Sequence, residues 1–176
     1  MSLMGGVTAD VEENFARDVR AYLDYFTPVV DEYETLVGGN IIFQERTKGI
    51  GVLSPELARS LGCTGPTLRA SGVSYDVRRN RPYGIYPKLA FDVPVLTEGD
   101  SWARYKVRIA EMRESLKIIR QALDTMPEGP VRAKLPAILK VPAGRWFGRV
   151  EAARGEIAFF VVGDGTDKPW GGKVRS

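Results

Sequence analysis

Two glutamates, Glu151 and Glu156, flank the residues Ala152-Ala153-Arg154-Gly155. That spacing reads as a four-residue hairpin connection with two carboxyls facing each other across it. Facing carboxylates can act as general acid and base, but only when buried beside a substrate cleft. The simpler expectation is ion pairing with Arg149 or Arg154. Arg78, Arg79 and Arg81 surround Asn80, with Tyr75 and Tyr83 nearby. Guanidinium groups mixed with aromatic rings can grip phosphates and bases. The same arginines can instead fork onto carboxylates, and Asp76 and Asp92 are the candidate partners. A formal net charge of only +3 favours this internal use and argues against nucleic acid as a partner. Gly49-Ile50-Gly51, after Thr47-Lys48, lacks both the third glycine of a dinucleotide fingerprint and the lysine-hydroxyl pair of a P-loop. A turn at a strand junction is expected there. Arg113, Lys117 and Arg120 fall at helical spacing and draw a basic stripe, either a solvated face or a dock for an acidic helix.

What is missing narrows the chemistry further. The chain has no histidine, which removes the commonest general base near neutral pH and every Ser-His or Cys-His arrangement. Its one cysteine, Cys63, makes neither an intrachain disulfide nor a metal site by itself, in keeping with a reducing compartment and a cytoplasmic origin. No run approaches the roughly 18 apolar residues that span a bilayer, so membrane contact is expected only through partners.

The elements that must position these side chains follow from periodicity. Val11, Phe15, Val19, Tyr22, Phe26, Val30, Tyr33 and Val37 draw one apolar stripe, which predicts a first helix capped by Asp10 with Glu13 closing a capping box. Pro28 should kink it or restart it, and Gly38-Gly39 should end it. Ile41 to Leu53 reads as short extended segments around the glycine turn. Ser54-Pro55-Glu56 opens a two-turn helix that Gly62 stops. Residues 63–98 show no sustained period and read as a loop region, functional or pinned by a partner. Asp100 or Ser101 then caps a long helix. Its seam is Trp102, Tyr105, Ile109, Met112, Leu116, Ile119, Leu123 and Met126, along a rod of about 38 Å. The first helix covers only part of that rod, so a further helix from another segment or a neighbouring protein is expected, and apolar surface should remain exposed. Residues 145–151 and 156–162 read as paired strands, and 172–175 as the start of a third. Met1-Ser2-Leu3 reads as an expression leader. The rest, 4–176, reads as a single partial domain, helical over 4–127 and a truncated β part over 143–176.

Charge is divided along the chain. Residues 1–46 carry three Lys/Arg against nine Asp/Glu, whereas 47–127 carry thirteen against eight and 128–176 nine against five. An acidic first helix and a basic remainder predict salt bridging within the chain, or charged neighbours.

Several long motifs occur in order: GGV at 5–7, DEYETL at 31–36, ERTKGIGVLSPE at 45–56, TGPTLRASGVSYDVRR at 64–79, FDVPV at 91–95, VRIAEMRESLKIIRQAL at 107–123 and GPVRAKLP at 129–136. EAARGE at 151–156 and VVGDGTDKPW at 161–170 complete the set. Together they resemble the D subunit family of NADH-quinone oxidoreductase, the 49-kDa-type subunit of respiratory complex I, over nearly the whole chain after the leader. The resemblance implies an α+β fold of long packed helices plus a small antiparallel β-sheet near the C-terminus, a fragment of a fold like the large subunit of nickel-iron hydrogenases. It implies that the assembled complex passes electrons from NADH through FMN and iron-sulfur clusters to quinone, coupled to ion translocation. The chain would be a scaffold segment, inactive alone, with the iron-sulfur B subunit and the C subunit of the complex as partners. It would be peripheral, on the cytoplasmic side of the cell membrane.

The quinone-headgroup residues of that family belong to segments before Gly5. No catalytic, cofactor-binding or metal residue is therefore assigned here, and the segment is expected to bind none of the cofactors. Two departures stand out. Only Ala137 to Val141 bridge Pro136 and Pro142 where many members carry an extra insert, and Gly171 stands where arginine is common. These suggest a short-form member and leave open the equivalent segment of an energy-converting hydrogenase-type complex, or a purely structural module bracing neighbouring subunits.

Overall fold

The computed structural model describes residues 2–176. Two strands, β1 (Ser2–Leu3) and β2 (Gly6–Val7), form a small antiparallel pair. The backbone around Gly5 and Gly6 is tied to residues 131–133. Helix α1 runs over Phe15–Tyr33 and passes through a π-helical turn, Glu34–Gly38, into helix α2 (Ile41–Thr47). Three short helices follow, α3 (Pro55–Ser60), α4 (Gly65–Ala70) and α5 (Val77–Asn80), then a 3-10 turn at Tyr86–Lys88. Helix α6 spans Ser101–Asp124. Strands β3 (Gly144–Ala152), β4 (Gly155–Gly163) and β5 (Gly171–Arg175) make one antiparallel sheet in the order 3-4-5.

Helices α1 and α6 lie antiparallel, and a ladder of ion pairs records their register. Arg20 meets Asp124, Asp24 meets Arg120, Asp31 meets Arg113, and Glu34 meets Lys106. The acidic first helix and the basic stripe therefore find each other within the chain, as the charge division predicts. Beneath the ladder, Leu23 and Val30 pack on Ile109 and Leu116, with Val19, Phe26, Tyr105 and Leu123 around them. Burial of four such side chains contributes about 1.5–3 kcal/mol each.

Helix α6 has a second buried face. Ala103 and Val107 pack against Ala70 of α4 and against Leu96. Helix α4, supplied by the chain itself, thus covers a face of α6 beside the predicted seam and not the seam itself. Met112, Ile119 and Met126 of the seam remain partly exposed, as do Leu36, Ile41, Ile42 and Leu61 elsewhere. Exposed apolar surface is the expected consequence of a bundle with uncovered sides.

Several expectations are corrected. Helix α1 begins at Phe15 with Asn14 at its N-cap, while Asp10 accepts from the Val11 backbone N–H at 2.7 Å instead of capping the helix. The reason is packing: the ladder ends at Arg20 and Asp124, so a helix reaching back to Val11 has no neighbouring helix to lie on. Pro28 sits inside a continuous α1 without a restart, and Thr27 Oγ1 donates to the Leu23 carbonyl at 2.6 Å. Residues 41–47 are helical, not extended. Asn40 Oδ1 accepts from Phe43 N, and Phe43 packs its ring against Trp102 and Tyr105, so a cap and an aromatic contact override two β-branched isoleucines. The hairpin joining β3 to β4 is tighter than expected. Ala152 pairs with Gly155, leaving only Ala153 and Arg154 in the turn.

Other expectations hold. Ser54 caps α3 by accepting from Leu57 N, and Gly62 ends it with φ +66°. Asp100 caps α6 by accepting from Ala103 N at 2.7 Å. Its second oxygen accepts from the Gly49 N–H, also at 2.7 Å, which makes the Gly49-Ile50-Gly51 segment a turn anchored to the long helix, although it joins helices α2 and α3 and not strands. Arg104 donates to the carbonyls of Gly51 and Gly99 and closes that turn.

Candidate functional site

The largest departure from the sequence reading lies between residues 63 and 98. That stretch is not an unstructured loop awaiting a partner but holds the most buried polar cluster of the chain. Helices α4 and α5 are four to six residues long, too short to display a 3.6-residue period. Their order comes from Arg69, which is 1% exposed. Its Nε donates to Glu111 of α6 at 2.6 Å, one terminal nitrogen donates to Glu151 of β3 at 3.0 Å, and the other donates to the Tyr75 carbonyl at 2.9 Å. Asp76 lies 3.6 Å from the same guanidinium. One side chain thereby joins the helical layer, the α4–α5 connection and the sheet.

Around this centre the other charged groups are arranged in pairs. Asp76 accepts a fork from Arg78, at 2.9 and 2.5 Å, and the Arg78 backbone N–H at 2.9 Å. Burial works against ionisation of Asp76, but the Arg78 fork, the Arg78 charge and backbone N–H, and the Arg69 charge together outweigh it and hold the carboxyl below the usual aspartate range. Glu151 behaves in the opposite way. Burial pushes its carboxyl above the usual glutamate range, aided by the Asp76 charge and only partly offset by Arg69. On the neighbouring strand Glu156 accepts from Tyr75 Oη at 2.6 Å and lies 3.5 Å from Arg149. Burial, then the Glu156 hydrogen bond, raises the Tyr75 phenol above its ordinary value.

The glutamates named from the hairpin spacing are indeed direct cross-strand partners. Glu156 takes the expected Arg149. Glu151 does not take Arg149 or Arg154 but the buried Arg69, which sequence reasoning missed. The signal available was a lone arginine inside the small and apolar run Gly65-Pro66-Thr67-Leu68-Arg69-Ala70. Of the arginine group, Arg78 forks onto Asp76, and Arg79 donates to the Phe91 carbonyl and lies 3.9 Å over its ring. Asp92 is not an arginine partner: its backbone N–H donates to Glu114 at 2.9 Å. Arg81 stays exposed at the C-cap of α5. Arg113 and Arg120 are bound to α1, and Lys117 pairs with Glu114 on its own helix.

Two clefts adjoin the node. One of 190 Å³ is lined by Arg69, Arg78, Glu111, Ser115 and Glu151 and reaches the node itself. The other, of 680 Å³, opens between the α3–α4 junction and the β3–β4 turn, with Cys63, Thr64, Thr67, Arg154 and Arg175 on its walls. Its hydroxyl and guanidinium groups are partly spent on the protein, since Thr64 Oγ1 accepts from the Glu156 N–H at 3.0 Å and Arg175 donates to the Gly62 carbonyl. Among the described residues no buried side-chain nitrogen or oxygen lacks a partner. The node is therefore a closed set of charge-assisted bonds that joins layers.

A family model described as the respiratory-chain NADH dehydrogenase 49 Kd subunit matches residues 1–140 and 135–176. The chain belongs to this family. A protein from Dehalococcoides mccartyi, named as the D subunit of NADH-quinone oxidoreductase, is 48% identical over 171 residues, 97% of this chain and 47% of that protein. A protein of the same name from Desulfitobacterium hafniense is 48% identical over 173 residues, 98% of this chain and 47% of its own length. One from Bacteroides thetaiotaomicron, named as the C/D subunit of NADH-quinone oxidoreductase, is 48% identical over 95% of this chain and 32% of its own length. A chain in the solved structure of the membrane-bound sulfane sulfur reductase, an archaeal respiratory membrane complex, superposes with a TM-score of 0.90 at 40% identity, covering 97% of this chain and 48% of that one. This 49-kDa-family chain thus spans about half the length of the D subunit relatives it matches, and its α+β architecture is the one the motifs imply. Among the described residues no helix is long and apolar enough to cross a membrane.

Proposed function

We propose that the chain is a scaffold segment of the quinone-reducing D subunit of an NADH-quinone oxidoreductase, a complex that passes electrons from NADH to quinone and couples this to ion translocation. The 48% identity to a protein of that name across 97% of the chain carries the reading. In it, the segment works as a peripheral part of the complex at the cytoplasmic side of the cell membrane, beside the iron-sulfur B subunit and the C subunit. The relative with the combined C/D name supports the second of these neighbours. The donor set of the chain does not fit the metal groups of such a complex. One cysteine and no histidine fall short of the four ligands that an iron-sulfur cluster takes, so no electron-transfer step is assigned to this segment.

A scaffold role, in place of cavity lining, is supported by where residues 64–86 spend their side chains. Leu68, Arg69, Ala70, Asp76 and Val77 are buried against the chain's own helices and sheet. A photoreactive quinone analogue in the intact complex tests this. Labelling outside residues 64–86 is expected, and labelling within them would make the segment part of the quinone cavity.

The match to a chain of the archaeal sulfane sulfur reductase complex favours a second reading, the equivalent segment of a related respiratory complex. Electron-donor specificity of the purified complex separates the two. Oxidation of NADH by the complex supports the first reading, and its absence with retained activity from another donor supports the second.

A further inference from the structure

The Arg69 node holds unequal charge. Three carboxylates, Asp76, Glu111 and Glu151, surround two guanidiniums, Arg69 and Arg78. With every group ionised, one negative charge is left over in a site where Arg69 and Asp76 are each 1% exposed. An uncompensated buried charge is the costliest state available to such a cluster. The bonds are also shared unevenly. Asp76 receives three donors from Arg78 alone, and Glu111 receives the shortest Arg69 contact and is the most exposed of the three. Glu151 has one Arg69 bond at 3.0 Å and a long contact from the Val77 N–H at 3.4 Å.

Glu151 faces charge from every element packed on it. Arg69 comes from α4, Asp76 and Arg78 from the start of α5, and Glu111 from α6. Tyr83 Oη accepts from the Glu151 backbone N–H at 3.0 Å. Across the strand pair stands another buried carboxyl, Glu156, engaged by Tyr75 and by Arg149 of β3. The excess charge is thus relieved most cheaply at Glu151, and the 190 Å³ cleft that it helps to line offers water a route for proton exchange.

We propose that Glu151 is the carboxyl that takes the node's spare proton, and that its ionisation as the pH rises is a switch that loosens the β3–β4 hairpin from α4 and α5. The direction follows from linkage. A carboxyl that binds its proton more tightly in the folded chain adds stability that is complete below the unfolded glutamate range and is lost as pH rises through the folded value. The raised position of Glu151 agrees with this. The inference concerns the chain itself and stands whichever complex the chain serves.

Carbon-13 NMR of the side-chain carboxyls of the full chain, labelled at glutamate, tests it. The expected result is one resonance, absent in E151Q and retained in E156Q, that titrates at higher pH than free glutamate. Amide exchange at Val77 and Glu151, corrected for intrinsic rates, should lose protection over the same interval, and E151Q should abolish that pH dependence. A Glu151 resonance that titrates with free glutamate overturns the proposal, as does hairpin protection that ignores the titration. Should E151Q not fold, assignment of the wild-type resonance by through-bond correlation decides the point without it.

Discussion

Replacing Arg69 with methionine keeps much of the side chain's length and removes its charge. Three acceptors then lose their donor at once: Glu111, Glu151 and the Tyr75 carbonyl. Breaking a buried ion pair from one side costs about 3–5 kcal/mol, because the partner charge stays behind unpaired. Glu111 is 17% exposed and can recover some hydration, and Glu151 can take a proton. We therefore place the loss near 3 kcal/mol at neutral pH, at the low end of that range. Against the roughly 5–15 kcal/mol of a typical domain this is a large share. Urea unfolding of the chain, followed by circular dichroism, measures it. Two controls make the reasoning specific. The loss should shrink toward acid pH as the orphaned carboxyls protonate, and Arg69→Met combined with Glu111→Gln and Glu151→Gln should be more stable than Arg69→Met alone. A loss under about 1 kcal/mol, the scale of a surface pair, would refute the view that this arginine holds the layers together. So would a loss that does not change with pH.

Arg113→Ala should behave as a surface change. Arg113 is 38% exposed between Asp31 and Glu34, so its removal should cost under about 1 kcal/mol and matter less in high salt. Glu34 is held below the usual glutamate range by its bonds to Lys106 and then Arg113. The stability it lends is present above the unfolded glutamate range and lost as pH falls through the folded value, which thermal melting at descending pH should show. Gly155→Ala should be more damaging than Gly84→Ala. Gly155 has φ +136° and its added Cβ would meet Thr64 Oγ1 at 2.5 Å, whereas Gly84 has φ +54° and nothing within 4 Å, so the difference in melting temperature reads the close approach of hairpin and α4 together with the harsher backbone strain at Gly155. Asn40→Ala removes the cap of α2 and should cost about 0.5–2 kcal/mol, read as earlier amide exchange over Ile41–Thr47.

Much of the frame is legible in residue order because it depends on local chemistry. The apolar stripes of α1 and α6, the Asp100 and Ser54 caps, and the hairpin of β3 and β4 are all set by neighbours a few residues apart. The division of charge between residues 1–46 and the rest anticipates the α1–α6 ladder, since opposite signs on two long helices meet once the helices pack. The family, too, is written in the motifs, and matches along nearly the whole chain agree with it.

What residue order could not show is the node. Arg69 meets Glu111 across 42 positions and Glu151 across 82, distances at which no periodicity or capping pattern operates. A lone arginine looks like surface until packing removes its water. The same holds for Glu151, whose partner among several arginines is chosen only by the way the hairpin lies on α4. Local sequence decides the long helices and the hairpin strands, whereas α2 leans on Trp102 and Tyr105 and the short α4 and α5 on the bonds of Arg69. Tertiary structure decides which charges are buried together, because desolvation is a property of the assembled layers and of no single segment.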